Sequence, residues 1–328
     1  MNDRYARQIV LPEVGETGQA RLAAARVLVV GAGGLGCPVL QYLASAGVGQ
    51  LIVMDDDVVE ASNLHRQPLY GMADIGAPKV VAAHAALLRL NPTIQVEVLA
   101  QRLTPGNAPA LVGVADVVVD ATDSLATAYM LSDACVERCV PLVSASALGL
   151  SGYVGAFCGG APSYRAVFPD MPARAATCSN AGVLGSLVGM LGCLQAQLVL
   201  QLLLGTSPSP LGRLLSFDAK RLAFGGFTFH DAIESEDGAL RFIDACSAEA
   251  DDLVVDVRGL DEAPLSPMTS ALRFTPEHMD AFTAMHPPAG QRIVLCCHSG
   301  LRAWRVGRDL QSRGYSRLAL VALAGVSS

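Results

Sequence analysis

A glycine-rich segment near the N-terminus constrains the fold of this chain more than any other feature. Residues 27–37 read Val-Leu-Val-Val-Gly-Ala-Gly-Gly-Leu-Gly-Cys and predict a buried strand, a tight turn and the start of a helix. Gly31, Gly33 and Gly36 fit G-x-G-x-x-G, in which the first glycine permits the turn, the second admits a nucleotide and the third packs the helix on the strand. Asp55 ends the next predicted strand, where a ribose-binding acid is expected.

Strand-like and helix-like segments alternate beyond this turn. Strands are predicted over residues 27–30, 51–55, 94–98, 116–120 and 141–145. Helices are predicted over residues 36–46, 78–90, 107–113 and 127–138. Other segments indicate a helical arm over 1–25, antiparallel strands over 148–167 and a hairpin over 213–230. The pattern is typical of an α/β fold with a doubly wound, Rossmann-like, mostly parallel sheet and an antiparallel extension.

Composition narrows the functional classes. A length of 328 residues predicts about two domains, and the net charge of −7 without a basic block argues against nucleic-acid binding. The apolar run 183–204 is interrupted by glutamines and glycines, which favours a buried or dimer-interface helix over a membrane span. Nine cysteines without a disulfide-like spacing and a polar N-terminus predict a cytoplasmic protein without a secretory signal.

Charged motifs accompany the predicted strand ends, where open α/β sheets bind ligands. They supply three candidate cations for phosphate, Arg7, Arg66 and Lys79, and one carboxylate suited to Mg²⁺, Asp123. Displacement at phosphorus requires such a cluster because charge spreads over the phosphoryl oxygens, whereas hydride transfer does not. The set therefore favours phosphoryl chemistry, and an NAD-dependent oxidoreductase is the weakest alternative.

Five motifs in order resemble those of the HesA/MoeB/ThiF family, the bacterial relatives of ubiquitin-activating enzymes. They are R-Y-x-R-Q, G-x-G-G-L-G, D-x-D-x-V-x-x-S-N-L-x-R-Q, D-I-G-x-x-K and D-x-T-D, and they lie within residues 1–230. The resemblance implies an adenylyltransferase that uses ATP and Mg²⁺. Its substrate would be the C-terminal glycine carboxylate of a ubiquitin-fold sulfur carrier protein ending in Gly-Gly, and pyrophosphate would be released.

The resemblance also implies roles for individual residues. Asp123 would engage Mg²⁺, and Arg7 would reach the ATP of a partner subunit, which implies a homodimer. The residues implied to bind the nucleotide are Gly31, Gly33, Gly34, Gly36, Asp55, Asp57, Asn63, Arg66, Lys79 and Asp123.

Two departures from the family pattern stand out, and one cysteine that matches the pattern has an open role. The family holds a structural zinc with two C-x-x-C pairs, but Ser163 and Ala166 occupy the first pair here and residues 230–234 lack the second. Because zinc needs four ligands, we predict that zinc is absent. Ser124 replaces the asparagine of D-x-T-D-N. Cys178 occupies a position that some members use covalently with the carrier, and a passive role stays equally open.

A second motif lies near the C-terminus. The segment 295–302, Leu-Cys-Cys-His-Ser-Gly-Leu-Arg, joins a predicted strand over 292–295 to a predicted helix over 301–313. A short amide-rich loop at a helix N-terminus forms an anion nest, so a cysteine there is expected to be a thiolate at neutral pH.

Two interpretations of this loop compete. Taking Cys297 as the nucleophile gives C-x-x-G-x-R, which resembles rhodanese sulfurtransferases, whereas Cys296 gives the C-x5-R spacing of tyrosine phosphatases. Ser299 stands where the phosphatase pattern requires glycine, so Cys297 is favoured. The segment 253–258, Leu-Val-Val-Asp-Val-Arg, resembles a rhodanese opening strand, but the resemblance is partial. A degenerate domain retained for packing is the alternative.

These features predict three regions: an ATP-binding adenylyltransferase domain over 1–235, a linker over 236–252 and a shortened rhodanese-like domain over 253–328. Together they predict adenylation followed by sulfur transfer from a Cys297 persulfide, giving a thiocarboxylate, with a sulfur donor such as a cysteine desulfurase. Adenylation of another carboxylate in a natural-product pathway and a catalytically reduced binding module stay as alternatives. Biosynthesis of the molybdenum cofactor, of thiamine or of a sulfur-containing metabolite fits the sequence.

Overall fold

Two β-sheets organise the chain. The computed structural model describes residues 3–172, 182–234, 239–268, 270–285, 287–288 and 290–323, so Cys178 lies outside the described residues. The first sheet has eight strands and belongs to the N-terminal unit, and the second has five strands and belongs to the C-terminal unit.

The first sheet has the order β3-β2-β1-β4-β5-β6-β7-β8 and is parallel from β3 to β5 and antiparallel from β5 to β8. Its strands are β1 (Arg26–Val30), β2 (Gln50–Met54), β3 (Gln95–Leu99), β4 (Val117–Asp120), β5 (Pro141–Leu148), β6 (Ser151–Cys158), β7 (Arg213–Asp218) and β8 (Ala223–Thr228). The predicted doubly wound sheet with an antiparallel extension is confirmed.

Helices cover both faces of this sheet, because successive side chains of a strand point to opposite sides. They are α1 (Ala6–Ile9), α2 (Gly15–Ala24), α3 (Gly36–Ala46), α4 (Lys79–Leu90), α5 (Ala108–Val112), α6 (Leu125–Arg138), α7 (Tyr164–Val167) and α8 (Gly185–Leu204). In β1, Val27 and Val29 join the core beneath α3, α4 and α8, whereas Leu28 and Val30 join the core beneath α5 and α6.

Helices α6 and α7 both differ from the prediction, and a serine caps the start of each. Helix α6 begins at Leu125 because the Ser124 hydroxyl accepts a hydrogen bond from the Thr127 amide at 3.3 Å. The prediction of strands through residue 167 is wrong after Cys158. The Ser163 hydroxyl accepts from the Ala166 amide at 3.0 Å and caps helix α7.

Helix α8 is the one helix of the described residues that is long and apolar enough to cross a membrane. Its mean hydropathy is 1.9, and 44% of the 18-residue stretch concerned is buried inside the protein. The helix packs on α3, β5 and β6. The core helices of soluble proteins are often equally long and apolar, so length and composition are weak evidence for a membrane span.

The second sheet is parallel, with the order β11-β10-β12-β13-β9. Its strands are β9 (Arg241–Phe242), β10 (Leu253–Asp256), β11 (Leu272–Arg273), β12 (Ile293–Cys297) and β13 (Leu318–Ala322), accompanied by α9 (Met279–Ala284) and α10 (Leu301–Ser312). Strand β9 falls inside the predicted linker. Phe242 is buried there and the Ile243 amide donates to the Leu320 carbonyl, so this part of the segment belongs to the sheet.

Candidate active site

A cavity of about 880 Å³ opens at the carboxyl ends of β1, β2 and β4. Strand order reverses beside β1, which is the place where open α/β sheets bind ligands. The cavity brings together most of the residues predicted for nucleotide binding. These are Gly31, Gly33, Gly34, Asp55, Asp57, Asn63, Arg66, Lys79 and Asp123.

The three motif glycines are required for different reasons. Gly31 has φ +96°, and a Cβ on it would lie 2.6 Å from the Ala121 carbonyl oxygen. A Cβ on Gly36 would overlap the Gly31 carbonyl, so Gly36 serves the packing of α3 and does not line the cavity. A Cβ on Gly33 would come no nearer than 3.6 Å to the Gln67 amide nitrogen. The fold therefore requires the first and third glycines, and the space at the second is open to a ligand.

Asp55 joins the glycine turn to the end of β2. Its carboxylate accepts hydrogen bonds from the Ala32 amide at 2.7 Å and the Asp57 amide at 2.8 Å. Burial raises the pKa of Asp55 above its ordinary value, and the charge of Lys79 opposes that rise. Each carboxylate oxygen has a second lone pair, so Asp55 can also accept from ribose hydroxyls.

Lys79 presents its cation from the first residue of α4. Its side chain is 5% exposed, and Nζ donates to Oδ2 of Asp57 at 2.8 Å, while the Asp57 side chain is 67% exposed. The Asp56 carboxylate pairs with Arg102 at 3.1 Å. An ammonium group has three donors, so Lys79 retains donors for a phosphate.

Arg66 and Asn63 lie in the loop after β2. Arg66 donates to the Ser62 carbonyl at 3.4 Å and lies 3.1 Å from His65 Nε2, and the described residues contain no acidic partner for it. Asn63 accepts from Gln67 Nε2 at 3.1 Å. Gln67 is not among the residues predicted from the sequence, yet it is buried at the cavity wall with its Oε1 unpartnered among the described residues. Its place at the end of the S-N-L-x-R-Q motif is the signal that was available.

The two aspartates at the end of β4 and in the loop after it, Asp120 and Asp123, have different roles. Asp120 is buried and accepts from Thr122 Oγ1 at 2.8 Å and Ser144 Oγ at 2.9 Å, and burial raises its pKa to about 6. Asp123 lies exposed at the cavity, and none of the described residues donates a hydrogen bond to it. Asp120 therefore fixes the loop, and the Asp123 carboxylate is free to meet a ligand.

Arg7 does not reach this cavity in its own chain. It lies exposed on α1 and is absent from the cavity wall. A role in nucleotide binding therefore requires a second copy of the chain.

Cys297 ends β12 and lies within the predicted amide nest. The Ala303 amide donates to its Sγ at 3.4 Å. The expectation of a thiolate is nevertheless wrong, since the residue is fully buried and this burial raises the pKa of the Cys297 thiol above its ordinary value. Arg302 would favour a thiolate, but its guanidinium donates to both carboxylate oxygens of Glu262.

Cys296 points to the other face of β12, where burial raises its pKa to about 12. The loop amides face Cys297 and not Cys296, so the geometry supports the C-x-x-G-x-R interpretation. His298 and Ser299, which follow Cys297, line the same cavity as Gly33 and Asp123. No sequence pattern indicated that the two motifs would share a cavity.

The two segments that carry the zinc ligands in the family are joined here by hydrogen bonds. The Glu234 carboxylate accepts from the Ser163 amide at 2.6 Å and from the Ser163 hydroxyl at 2.7 Å. A carboxylate thus connects the end of the hairpin segment to the start of α7. These two hydrogen bonds hold the segment after the hairpin against the start of α7, where serine occupies a cysteine position of the family.

The chain belongs to the ThiF family, whose match covers residues 5–237. Over 221 residues it is 57% identical to the adenylyltransferase and sulfurtransferase MOCS3 of Bos taurus, covering 66% of this chain and 49% of that protein. It is 45% identical over 224 residues to the SAMP-activating enzyme E1 of Haloferax volcanii, covering 68% of this chain and 83% of that protein. The chain spans about half the length of the MOCS3 proteins it matches.

Solved structures show the same fold. A crystal structure of E. coli MccB with MccA-N7isoASN has a TM-score of 0.62 and 20% identity, covering 70% of this chain and 72% of that one. A structure of E. coli MccB with ATP has a TM-score of 0.59 and 21% identity, with the same coverage. At this identity the likeness establishes the Rossmann-like architecture.

Proposed function

We propose that this chain adenylates the C-terminal glycine carboxylate of a ubiquitin-fold sulfur carrier protein ending in Gly-Gly, and that Cys297 then supplies sulfur to the activated carboxylate. The observation that carries the proposal is the composition of the cavity. Arg66, Lys79 and the free carboxylate of Asp123 surround the open space at Gly33. The similarity to the adenylyltransferase and sulfurtransferase MOCS3 and to the SAMP-activating enzyme E1 supports it.

In the first step, a carboxylate oxygen of the carrier attacks the α-phosphorus of ATP and pyrophosphate leaves with the electron pair of the broken P–O bond. Arg66 and Lys79 stabilise the charge that develops on the phosphoryl oxygens. Asp55 orients the ribose, and the amides of the glycine turn meet phosphate at the start of α3. Arg7 acts on the ATP bound by a partner subunit, so the working unit is a homodimer.

The residues present fit Mg²⁺. This ion takes one or two carboxylates together with substrate phosphates. Asp123 offers an exposed carboxylate that accepts no hydrogen bond from the described residues. When bound there, Mg²⁺ supplies positive charge next to the phosphates. The carboxylates of Asp55, Asp56 and Asp57 lie within 4.8 Å of one another, but Lys79 and Arg102 pair with two of them.

In the second step, a persulfide on Cys297 attacks the acyl carbon of the adenylate. The new C–S bond replaces the C–O bond, and AMP leaves with the electron pair, so no further nucleotide is consumed. The resulting acyl disulfide is cleaved by a thiol reductant, which is oxidised to a disulfide as the carrier thiocarboxylate is released. A sulfur donor such as a cysteine desulfurase, or another sulfane-sulfur donor, reloads Cys297.

ATP–pyrophosphate exchange with Mg²⁺ tests the first step. Candidate carriers ending in Gly-Gly are added to the wild-type protein and to Asp123→Ala. Asp251→Ala is the matched control, because that aspartate is exposed and lies outside the cavity. We expect carrier-dependent exchange in the wild type and in Asp251→Ala, and loss of exchange in Asp123→Ala.

Two results would redirect the proposal. Exchange that needs a free acid or a peptide in place of a carrier would assign the chain to another carboxylate, as in natural-product biosynthesis. ATP binding without exchange for any substrate would assign it to a binding role. For the second step, thiocarboxylate formation by Cys297→Ala at the wild-type rate would contradict a role for that cysteine.

A further inference from the structure

The C-terminal unit forms one wall of the nucleotide cavity. Phe242, Asp244, His298, Ser299 and Leu301 of this unit line the same space as the glycine turn and the loop after β4. His298 and Ser299 are the two residues that follow Cys297. The loop that carries the sulfur nucleophile therefore borders the place where the proposed adenylate forms.

A buried aromatic contact fixes this arrangement. Trp304 of α10 is 3% exposed, and its ring centroid lies 5.0 Å from that of Tyr129 in α6. The Arg165 guanidinium lies 4.7 Å from the Tyr129 centroid and 5.4 Å from the Trp304 centroid. Asp133 holds that guanidinium with two hydrogen bonds of 2.6 and 2.9 Å. Desolvated cation–π contacts of this kind stabilise the packing of α10 on α6.

Two ion pairs also join the C-terminal unit to the N-terminal unit. Arg308 of α10 pairs with Asp170 at 2.8 Å, and Arg241 of β9 pairs with Glu137 of α6 at 3.2 Å. Next to the cavity-lining residues Ser299 and Leu301, a Cβ on Gly300 would lie 3.5 Å from the Cβ of Ala126, in the first turn of α6. The cysteine loop therefore lies close to the helix that begins two residues after Asp123.

We infer that Cys297 delivers sulfur in cis, to the adenylate held in the nucleotide cavity of its own chain. The inference rests on the proposed function. It contrasts with Arg7, which lies outside the cavity of its own chain and would act in trans. The terminal sulfur of the persulfide forms the bond to the acyl carbon while the C–O bond to AMP breaks, and AMP carries away the electron pair. An S–S bond extends the nucleophile by about 2 Å beyond Sγ, in the loop whose next two residues already line the cavity.

Heterodimers of two inactive variants test this inference. Differently tagged chains are co-expressed and purified through both tags, giving an Asp123→Ala/Cys297→Ala pair and an Asp123→Ala/Arg7→Ala pair. Each is assayed with ATP, Mg²⁺, a Gly-Gly carrier, thiosulfate as sulfur donor and dithiothreitol as reductant. Thiosulfate transfers its sulfane sulfur to Cys297 and releases sulfite. Pyrophosphate exchange and carrier thiocarboxylate, measured by mass, are recorded for every sample.

Delivery in cis predicts a sharp difference between the two pairs. The Asp123→Ala/Arg7→Ala pair retains one complete site and should show about half of the wild-type exchange. The Asp123→Ala/Cys297→Ala pair should form no more thiocarboxylate than either variant alone, although its exchange shows that adenylate is made. If the chain proves monomeric, Arg7 has no role in trans, and mixing purified Asp123→Ala with Cys297→Ala tests delivery in cis without the Arg7 pair.

Thiocarboxylate near half of the wild-type level in the Asp123→Ala/Cys297→Ala pair would overturn delivery in cis and leave the proposed function standing. A wild-type protein that adenylates the carrier but forms no thiocarboxylate would overturn the sulfur-transfer step and this inference with it. The two failures are distinguished by the wild-type sample.

Discussion

The nucleotide cavity and the cysteine loop place their reactive groups in opposite environments. In the cavity, Asp123 is exposed without a described hydrogen-bond donor, and Arg66 has no described acidic partner. In the loop, Cys297 is fully buried and the cation of Arg302 is bound by Glu262. A charged substrate meets the first set of groups directly. The second set holds a protonated thiol, which becomes a strong nucleophile only after deprotonation or conversion to a persulfide.

The largest effect should come from the free carboxylate. Asp123→Ala should lower kcat for pyrophosphate exchange by roughly 10²–10³-fold, the range found when one charge-stabilising group of an active site is removed. Thermal unfolding should stay within a degree or two of wild type, because surface changes away from special features usually cost about 0.5 kcal/mol or less. Retained exchange would contradict the assignment of Asp123 as the free carboxylate that acts on ATP.

The glycines of the turn separate binding from folding. Gly33→Ala should weaken ATP binding by about tenfold or more, equivalent to roughly 1.4 kcal/mol, and leave the melting temperature unchanged, since its Cβ meets no protein atom closer than 3.6 Å. Gly36→Ala should lower the melting temperature sharply, because its Cβ would overlap the Gly31 carbonyl. Calorimetry with and without ATP measures both quantities. Equal loss of stability in the two variants would show that Gly33 also serves packing.

The buried thiol should show its environment as a pH dependence. Because the pKa of Cys297 is raised, the thiol is protonated at pH 7, and its alkylation by iodoacetamide should be slow there. The rate should increase with pH and level off only above pH 9.0, the ordinary pKa of a cysteine thiol. Glu262→Gln leaves Arg302 unneutralised, which should lower the pKa of Cys297 and speed alkylation at a fixed pH. Peptide mass spectrometry distinguishes Cys297 from the other thiols. Rapid alkylation at pH 6 would mean that the sulfur is a thiolate despite its burial.

The smallest effect concerns the hairpin segment and not the two sites. Glu234→Ala removes two hydrogen bonds from Ser163, but because the Glu234 side chain is exposed, water competes for them and the expected loss of stability is about 1 kcal/mol in total. The melting temperature should fall, whereas Asp231→Ala, an exposed neighbour, should leave it unchanged. A chelator should have no effect on either protein, in line with the predicted absence of zinc. Zinc in purified protein together with chelator sensitivity would contradict that prediction.

Much of the fold follows from local sequence patterns. Strand β1 and helix α3 are predicted to within a residue because the glycine turn fixes where one ends and the other begins. The residues that line the cavity are predicted as a set because parallel strands bring their carboxyl ends to one edge of the sheet. The state of Cys297 is not predicted, because the amide nest indicates a thiolate and only the three-dimensional packing shows that desolvation outweighs it.

Features that depend on contacts between distant segments cannot be predicted from local sequence patterns. Strand β9 has only two residues and pairs with β13, more than 70 positions later. The hydrogen bonds between Ser163 and Glu234 likewise join residues 71 positions apart. The Trp304–Tyr129 contact is set by the docking of two sheets, for which neither helix carries a motif.

The continuous core that includes both Trp304 of α10 and Tyr129 of α6 has a consequence for how the chain unfolds. Two units that share one apolar interior lose their packing together, so heating should give a single cooperative transition and not two separate ones. A fragment ending before β9 would leave the Tyr129 face of α6 in water and be prone to aggregation. The C-terminal unit is therefore not a module that could be exchanged by simple gene fusion, because the core of the N-terminal unit packs directly against it.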